Sequence, residues 1–484
     1  MRCRDVDGRR LYSIMMLSLL LALGLALASR YSTNSQASPE NPSVITPGKV
    51  IPQVQCAANP DQSYALLVPS SYSPGRPLPL VISSDPDARG SDPLELQKDA
   101  AEQFGYVLVA SNNSRNGPWK PRFEATNATL IDVQKRVPID LDRIYFAGFS
   151  GGARASVQLA LLCKCAAGVF LDGAGFPGGL SPASDSLFPV FSTVGILDFN
   201  YGEVVQLQDA LTTAGYPHWL RIFDGTHQWA PAPVMTEAFA WFRMEAMKAQ
   251  REPRDQSFID AQFEKSKAHA NSLEQSGDLL NAWRDYLQIV STYDSLEDTK
   301  AIRATADALG RDKLVREALK RERNEFAEQS SLTANITNAI SRPDSPARPS
   351  VEDRFSVKDE ILHLRLTADD EKRPEKARVY KRAVLQVFIM AAEVGSNFLD
   401  AKSYERAIQA FDAAAAARPD SEWAWRQLAV ANAYSGRSKE AFAAIRQARQ
   451  LSHDPPALEK WLNTEPAFDR LRPTPEFRSL LGRS

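Results

Sequence analysis

Between residues 50 and 248, short apolar runs alternate with helical stretches, and this alternation limits the fold more than any other feature of the chain. Residues 63–68, 78–83, 106–110, 143–147, 168–171, 190–194 and 219–223 read as strands. Residues 93–104, 125–136, 153–163 and 201–214 between them read as helices. A strand covered on both faces appears as a continuous apolar run, and parallel neighbours need a crossover between them. The pattern predicts a mostly parallel sheet with helices on both faces over residues 50–250.

After residue 250 the strand signals vanish and Ala, Glu, Lys, Arg and Leu dominate. Tyr404-Glu405-Arg406-Ala407-Ile408-x-x-Phe411 returns 34 residues later as Ser438-Lys439-Glu440-Ala441-Phe442-x-x-Ile445. That period is the length of a tetratricopeptide helix pair. Residues 423–434 supply the first helix of the second pair, Gly436 turns the chain, and Pro419 closes the preceding helix. A further copy is indicated upstream, where Gly277-Asp278 precedes Ala282-x-x-x-Tyr286. Residues 251–484 therefore read as an all-α, tetratricopeptide-like domain. Within it, the charged stretch 311–328 reads as a solvated helix face and the Pro/Ser-rich stretch 341–349 as a loop or hinge.

Residues 1–30 form a targeting segment. Arg2, Arg4, Arg9 and Arg10 precede an apolar stretch over 11–28, and Ala26-Leu27-Ala28 offers a signal-peptidase site. The run is also near the length that spans a bilayer, so a cleaved signal and an uncleaved membrane anchor are both open. Either places the bulk of the chain in the periplasm or outside the cell. Residues 31–49 read as a flexible linker. Lys+Arg number 57 and Asp+Glu 59, a balance with no footprint for nucleic acid. No phosphate loop or metal-ligand cluster is present, so neither metal nor cofactor is expected. Cleavage would leave Cys56, Cys163 and Cys165. One of the last two bridged to Cys56, or three buried thiols, are the expected states, since Cys163 and Cys165 stand close for a mutual bridge.

The chemistry lies in Gly148-Phe149-Ser150-Gly151-Gly152, which follows a strand directly and opens a helix. A G-x-S-x-G motif in that setting is a nucleophile elbow, whose tight turn lifts the serine hydroxyl above the sheet. A serine needs a base, and the first half contains only His218 and His227. His227 follows the last strand, where catalytic groups of open α/β sheets collect, whereas His218 stands at that strand's entry. Asp198, after the strand 190–194, is the preferred acid and Asp172 its competitor. Trp119 and Trp229 could line a substrate pocket.

These elements, with Gly225-Thr226-His227-Gln228-Trp229, resemble the secreted α/β-hydrolases related to polyhydroxybutyrate depolymerases and feruloyl esterases. The resemblance implies an α/β-hydrolase fold, cleavage of a small or polymeric ester by Ser150, Asp198 and His227, and no cofactor. Those esterases usually carry His-Gly where this chain has Ser84-Asp85-Pro86-Asp87-Ala88-Arg89-Gly90. Pro86 has no N–H to give. The oxyanion donors are then Gly151 and one of Asp85, Asp87 or Ala88, with Asp87 the expected one. A second reading follows from this departure: an exported scaffold whose repeats dock a protein partner and whose hydrolase domain is vestigial.

Overall fold

The computed structural model describes residues 45–185, 187–341 and 351–481. The targeting segment, most of the linker and nearly all of the 341–349 hinge fall outside these residues. Contacts divide the chain into two compact units. One takes the chain up to Ser192 with Asp209–Trp219 and Trp229–Ile259. The other takes Thr193–Gln208, Leu220–Gln228 and the chain from Asp260 onward.

The eight strands are β1 (Val50–Cys56), β2 (Asn59–Leu67), β3 (Leu78–Ser84), β4 (Val107–Ser111), β5 (Ile139–Phe149), β6 (Ala166–Asp172), β7 (Val190–Gly195) and β8 (His218–Phe223). They form one sheet in the order β1-β2-β4-β3-β5-β6-β7-β8. β1 and β2 are antiparallel, as are β2 and β4, while β3 runs parallel to β4 and β5, and β5 to β6. At β7 and β8, Val190 donates to the Pro217 carbonyl and Ile196 to that of Phe223, start to start and end to end, so these two also run parallel. The seven expected strands are all present. β1 was not anticipated because it is an edge strand, half exposed and interrupted by Pro52, which an edge tolerates.

Between the strands lie α1 (Ser91–Phe104), α2 (Trp119–Arg136), α3 (Gly151–Cys163) and α4 (Tyr201–Ala214), and α5 (Ala232–Lys248) follows β8. The step from β3 through α1 to β4 runs opposite in the sheet to the steps through α2 and α3. Right-handed crossovers then put α1 on one face and α2 and α3 on the other. α5 packs against α1. Beneath them the Tyr106 ring packs tilted against Tyr145 and edge-on against Phe239, at ring distances of 5.5 and 5.0 Å. Each such aromatic contributes about 1.5–3 kcal/mol by burial. Asp132 of α2 ties the β1–β2 hairpin down, accepting from the Ala57 amide and the Tyr64 hydroxyl, each at 2.8 Å, beside Arg136.

One expectation is corrected here. Cys163 and Cys165 are bridged, with Cα atoms 5.1 Å apart, and Cys56 is free and buried. α3 ends at Cys163, and Lys164 adopts a left-handed φ of 52° that folds the chain back on itself. Burial, with Asp132 nearby, pushes the Cys56 thiol up to about 11, so it packs as a neutral hydrophobe.

From Gln256 onward the described chain is helical: α6 (Gln256–Gln275), α7 (Leu279–Tyr293), α8 (Lys300–Arg311), α9 (Lys313–Ser341), α10 (Val351–Ala368), α11 (Pro374–Asp400), α12 (Tyr404–Ala417), α13 (Glu422–Tyr434), α14 (Ser438–Leu451), α15 (Pro455–Thr464) and α16 (Pro475–Leu480). The repeated positions share an environment: Ala407, Ile408 and Phe411 are buried, as are Ala441, Phe442 and Ile445. Gly277, Lys402 and Gly436 each take a positive φ two residues before a helix begins, so one turn geometry recurs three times. The charged face of α9 is not simply solvated, which corrects a second expectation. Glu322 pairs with Arg284, and Glu325 with Arg378 and Arg382.

Candidate active site

Ser150 stands between β5 and α3 with φ 53° and ψ −120°. That conformation is strained for a side chain bearing Cβ and persists only when its surroundings enforce it. They do so closely. The Ser150 amide donates to the Asp172 carbonyl at 2.8 Å. A Cβ on Gly152 would collide with the Ser84 carbonyl, and one on Gly148 with the Gly152 carbonyl. The glycines flanking the serine are thus required by close backbone approach, as the motif predicts. Gly151 opens α3, so its N–H belongs to the first turn, which has no partner within the helix. The helix N-terminus also favours negative charge there.

Asp198 and His227 meet in the second unit, with Asp198 Oδ2 2.9 Å from His227 Nδ1. Asp198 is fully buried, and its Oδ1 accepts the Asn200 amide at 2.8 Å. Burial pushes its carboxyl above the ordinary range, while His227, the Asn200 amide and Arg382 pull it back. The acid and histidine loops are stitched together: Ile196 donates to Phe223 O and Leu197 to Gly225 O, each at 2.9 Å. Gly195 permits this, since a Cβ there would strike the Thr226 and Gly225 carbonyls. The Phe199 ring lies 4.4 Å from the imidazole.

The competing residues are otherwise engaged. Asp172 is buried at the end of β6, and its Oδ2 accepts the Ala230 amide at 2.6 Å. His218 Nδ1 lies 2.8 Å from the Tyr216 carbonyl and Nε2 3.2 Å from Thr212 Oγ1, and burial lowers its affinity for a proton.

Around the expected oxyanion loop, Asp85 is the organising residue. Its Oδ1 accepts the amides of Asp87 at 2.9 Å and Arg89 at 3.2 Å. Its Oδ2 accepts Trp229 Nε1 at 3.0 Å and Arg89 Nη2 at 3.1 Å. Ala88 donates to the Asp85 carbonyl at 3.1 Å. The amides of Asp87 and Ala88 are therefore both occupied within the loop. Trp229 is buried, its ring tilted against that of Phe149 at 5.6 Å, and it ties its own loop to the Asp85 loop. Trp119 is half-buried beside Phe123, their rings 5.9 Å apart.

Two residues beside the elbow were missed. The side-chain amide of Asn116 lies against Gly151, and its backbone amide donates to Pro86 O at 2.6 Å. Arg122 Nη2 donates to the Gly151 carbonyl at 2.8 Å. Neither belongs to a motif; only the position of Asn116 in the loop after β4 could have marked it. Among the described residues no group of three His, Cys, Asp or Glu is placed to hold a metal ion.

An eight-stranded, mostly parallel sheet in this order, with a strained serine at the β5–α3 turn, is the α/β-hydrolase fold. No family model and no curated protein sequence matches the chain. Among solved structures, it is similar to a ferulic acid esterase at 15% identity, over 41% of this chain and 98% of that one, with a TM-score of 0.35. Est1E from Butyrivibrio proteoclasticus is similar at 14% identity, over 41% and 99%, with a TM-score of 0.32. An esterase of Pyrobaculum calidifontis is similar at 13% identity, over 51% and 96%, with a TM-score of 0.34.

Proposed function

We propose that this chain is an exported serine hydrolase that cleaves carboxylic esters through an acyl-enzyme. The observation that carries the reading is the strained backbone of Ser150 at a strand–helix turn, a cost a purely structural serine would not require. His227 takes the hydroxyl proton as Ser150 attacks the ester carbonyl. Asp198 holds Nδ1–H and so leaves the proton off Nε2, the nitrogen that acts as base, then stabilises the imidazolium. The alcohol leaves with that proton, and water releases the acyl group by the same route. Gly151 N–H supplies one oxyanion donor. Asp87 could supply the second only by leaving Asp85, whereas the Asn116 amide already stands beside Gly151. Export rests on the N-terminal sequence, and a protein partner for the tetratricopeptide-like repeats on their period.

The scaffold reading is favoured by one observation, the engagement of the Asp87 and Ala88 amides. A fluorophosphonate probe separates the two. It should label the wild-type chain at Ser150 and leave Ser150→Ala unlabelled and inactive on p-nitrophenyl esters. An unlabelled wild type would establish the scaffold instead.

A further inference from the structure

The loop that carries Asp198 follows β7 and spans Ile196 to Asn200. A strand-end loop has more freedom than the strand, yet a catalytic carboxylate must be held within about 0.5 Å of its working position. Side chains from far along the chain bracket this loop on both sides of the acid. On one side, the Ile196 carbonyl accepts Arg382 Nε at 2.8 Å and Nη2 at 2.6 Å. On the other, the Phe199 carbonyl accepts Gln329 Nε2 at 2.7 Å. Phe199 is the residue whose ring packs on the imidazole, so this second bond bears on His227 as well.

Both donors are themselves held. The Arg382 side chain is only 3% exposed, lies 3.8 Å above the Tyr201 ring and faces Glu325 at 3.4 Å. Burying a guanidinium is costly unless it is paired, and these partners offset that cost. The Tyr201 hydroxyl donates to Glu322 at 2.7 Å, and Glu322 pairs with Arg284. Gln329 is buried and also bonds Gln386 at 2.8 Å. A Cβ on Gly202 would strike the Phe326 ring, so the start of α4 rests directly on α9. By contrast, Leu197 and Thr226 border a cavity of about 440 Å³. On that side the two loops are not held by close packing, and the polar brackets matter more.

We propose that Arg382 and Gln329 are positioning residues for the Asp198–His227 pair. The helical region is then a working part of the hydrolase, not an appendage that only docks a partner. This rests on the triad reading above. The positive charge of Arg382 also favours ionised Asp198.

The test uses the full chain carrying Arg382→Met, Arg382→Lys or Gln329→Met, with His227→Gln and Ser150→Ala as controls. Steady-state turnover of a p-nitrophenyl ester is read beside the far-downfield proton resonance of His227 Nδ1–H, identified by its loss in His227→Gln. Arg382→Met is expected to lower kcat at least tenfold with KM within twofold, and to weaken or abolish that resonance. Arg382→Lys restores a charge and a donor and should recover part of both. Gln329→Met should show the same signature to a smaller degree. Wild-type kcat and an unchanged resonance in Arg382→Met and Gln329→Met would overturn the proposal, as would a change confined to KM. Should Arg382→Met fail to fold, Gln329→Met and Arg382→Lys decide by the same criteria. An active Ser150→Ala control would remove the triad reading, and the resonance would still judge the bracket.

Discussion

At the scale of single residues, Asp198 shows a conflict between stability and chemistry. Burial raises its folded pKa above the unfolded value, so what it adds to stability is present at acid pH and lost as pH rises through the folded pKa. At neutral pH the buried charge is a cost. Asp198→Asn is therefore expected to lower kcat about 10⁴-fold through the wrong imidazole tautomer. Its melting temperature at pH 7 should equal or exceed that of the wild type, and that advantage should shrink at pH 4. Kinetics and thermal unfolding at both pH values check this. Asn116, which we propose as the second oxyanion donor, makes the complementary case. Removing a single oxyanion donor costs about 10²–10³ in kcat. Asn116→Ala should fall in that range with little change in KM. Asp87→Ala, which keeps the backbone amide and removes a side chain 72% exposed, should stay near wild type.

At the scale of elements, the sheet depends on α2 holding its antiparallel edge. Hydrogen bonding and ion pairing to Arg136, with bonds from Ala57 and Tyr64, outweigh burial and hold the Asp132 carboxyl below its ordinary range. A depressed carboxylate contributes stability above its unfolded pKa and loses it as pH falls through the folded pKa. Asp132→Ala should cost about 2–3 kcal/mol at pH 7, because it strands the buried Tyr64 hydroxyl and removes both the bond from the Ala57 amide and the ion pair. The gap to wild type should narrow below pH 4, and denaturant titrations at pH 7 and pH 3 measure it. β8 offers a control within one strand. His218 stands at its start, bonded to Tyr216 and Thr212, and His227 lies beyond its end. His218→Ala should leave turnover within a small factor, while His227→Ala should lower it by several orders of magnitude.

At the scale of the whole molecule, the acid and histidine loops, with the C-terminal ends of β7 and β8, group with the C-terminal helices and not with the rest of the sheet. Sequence reasoning alone favours an independent hydrolase, because every expected triad residue precedes residue 250 and a domain carries its own core. The brackets on Ile196 and Phe199 argue the opposite. A chain ending after Lys248 lacks Gln329, Arg382 and the Glu322 and Glu325 that support the second. Its turnover should fall at least tenfold below that of the full chain, measured on the same p-nitrophenyl ester. Full activity in that truncation would return the helical region to the role of an appendage.

The alternation of apolar runs by itself determined the sheet, and the setting of Ser150 determined the elbow, because both are local patterns with a short-range physical cause. Asp198 and His227 were legible for a related reason: in parallel sheets, residues just past strand ends converge. What the sequence could not express was how those loops are held. Gln329 reaches Phe199 across 130 positions and Arg382 reaches Ile196 across 186. Their acceptors are backbone carbonyls, which every residue carries, so no pattern of side chains marks them. The disulfide was hidden similarly, since the left-handed turn at Lys164 that brings Cys163 to Cys165 has no glycine to announce it. The tertiary structure alone decided these points, because a hydrogen bond to a distant backbone depends on where the chain passes and not on which residue it carries there.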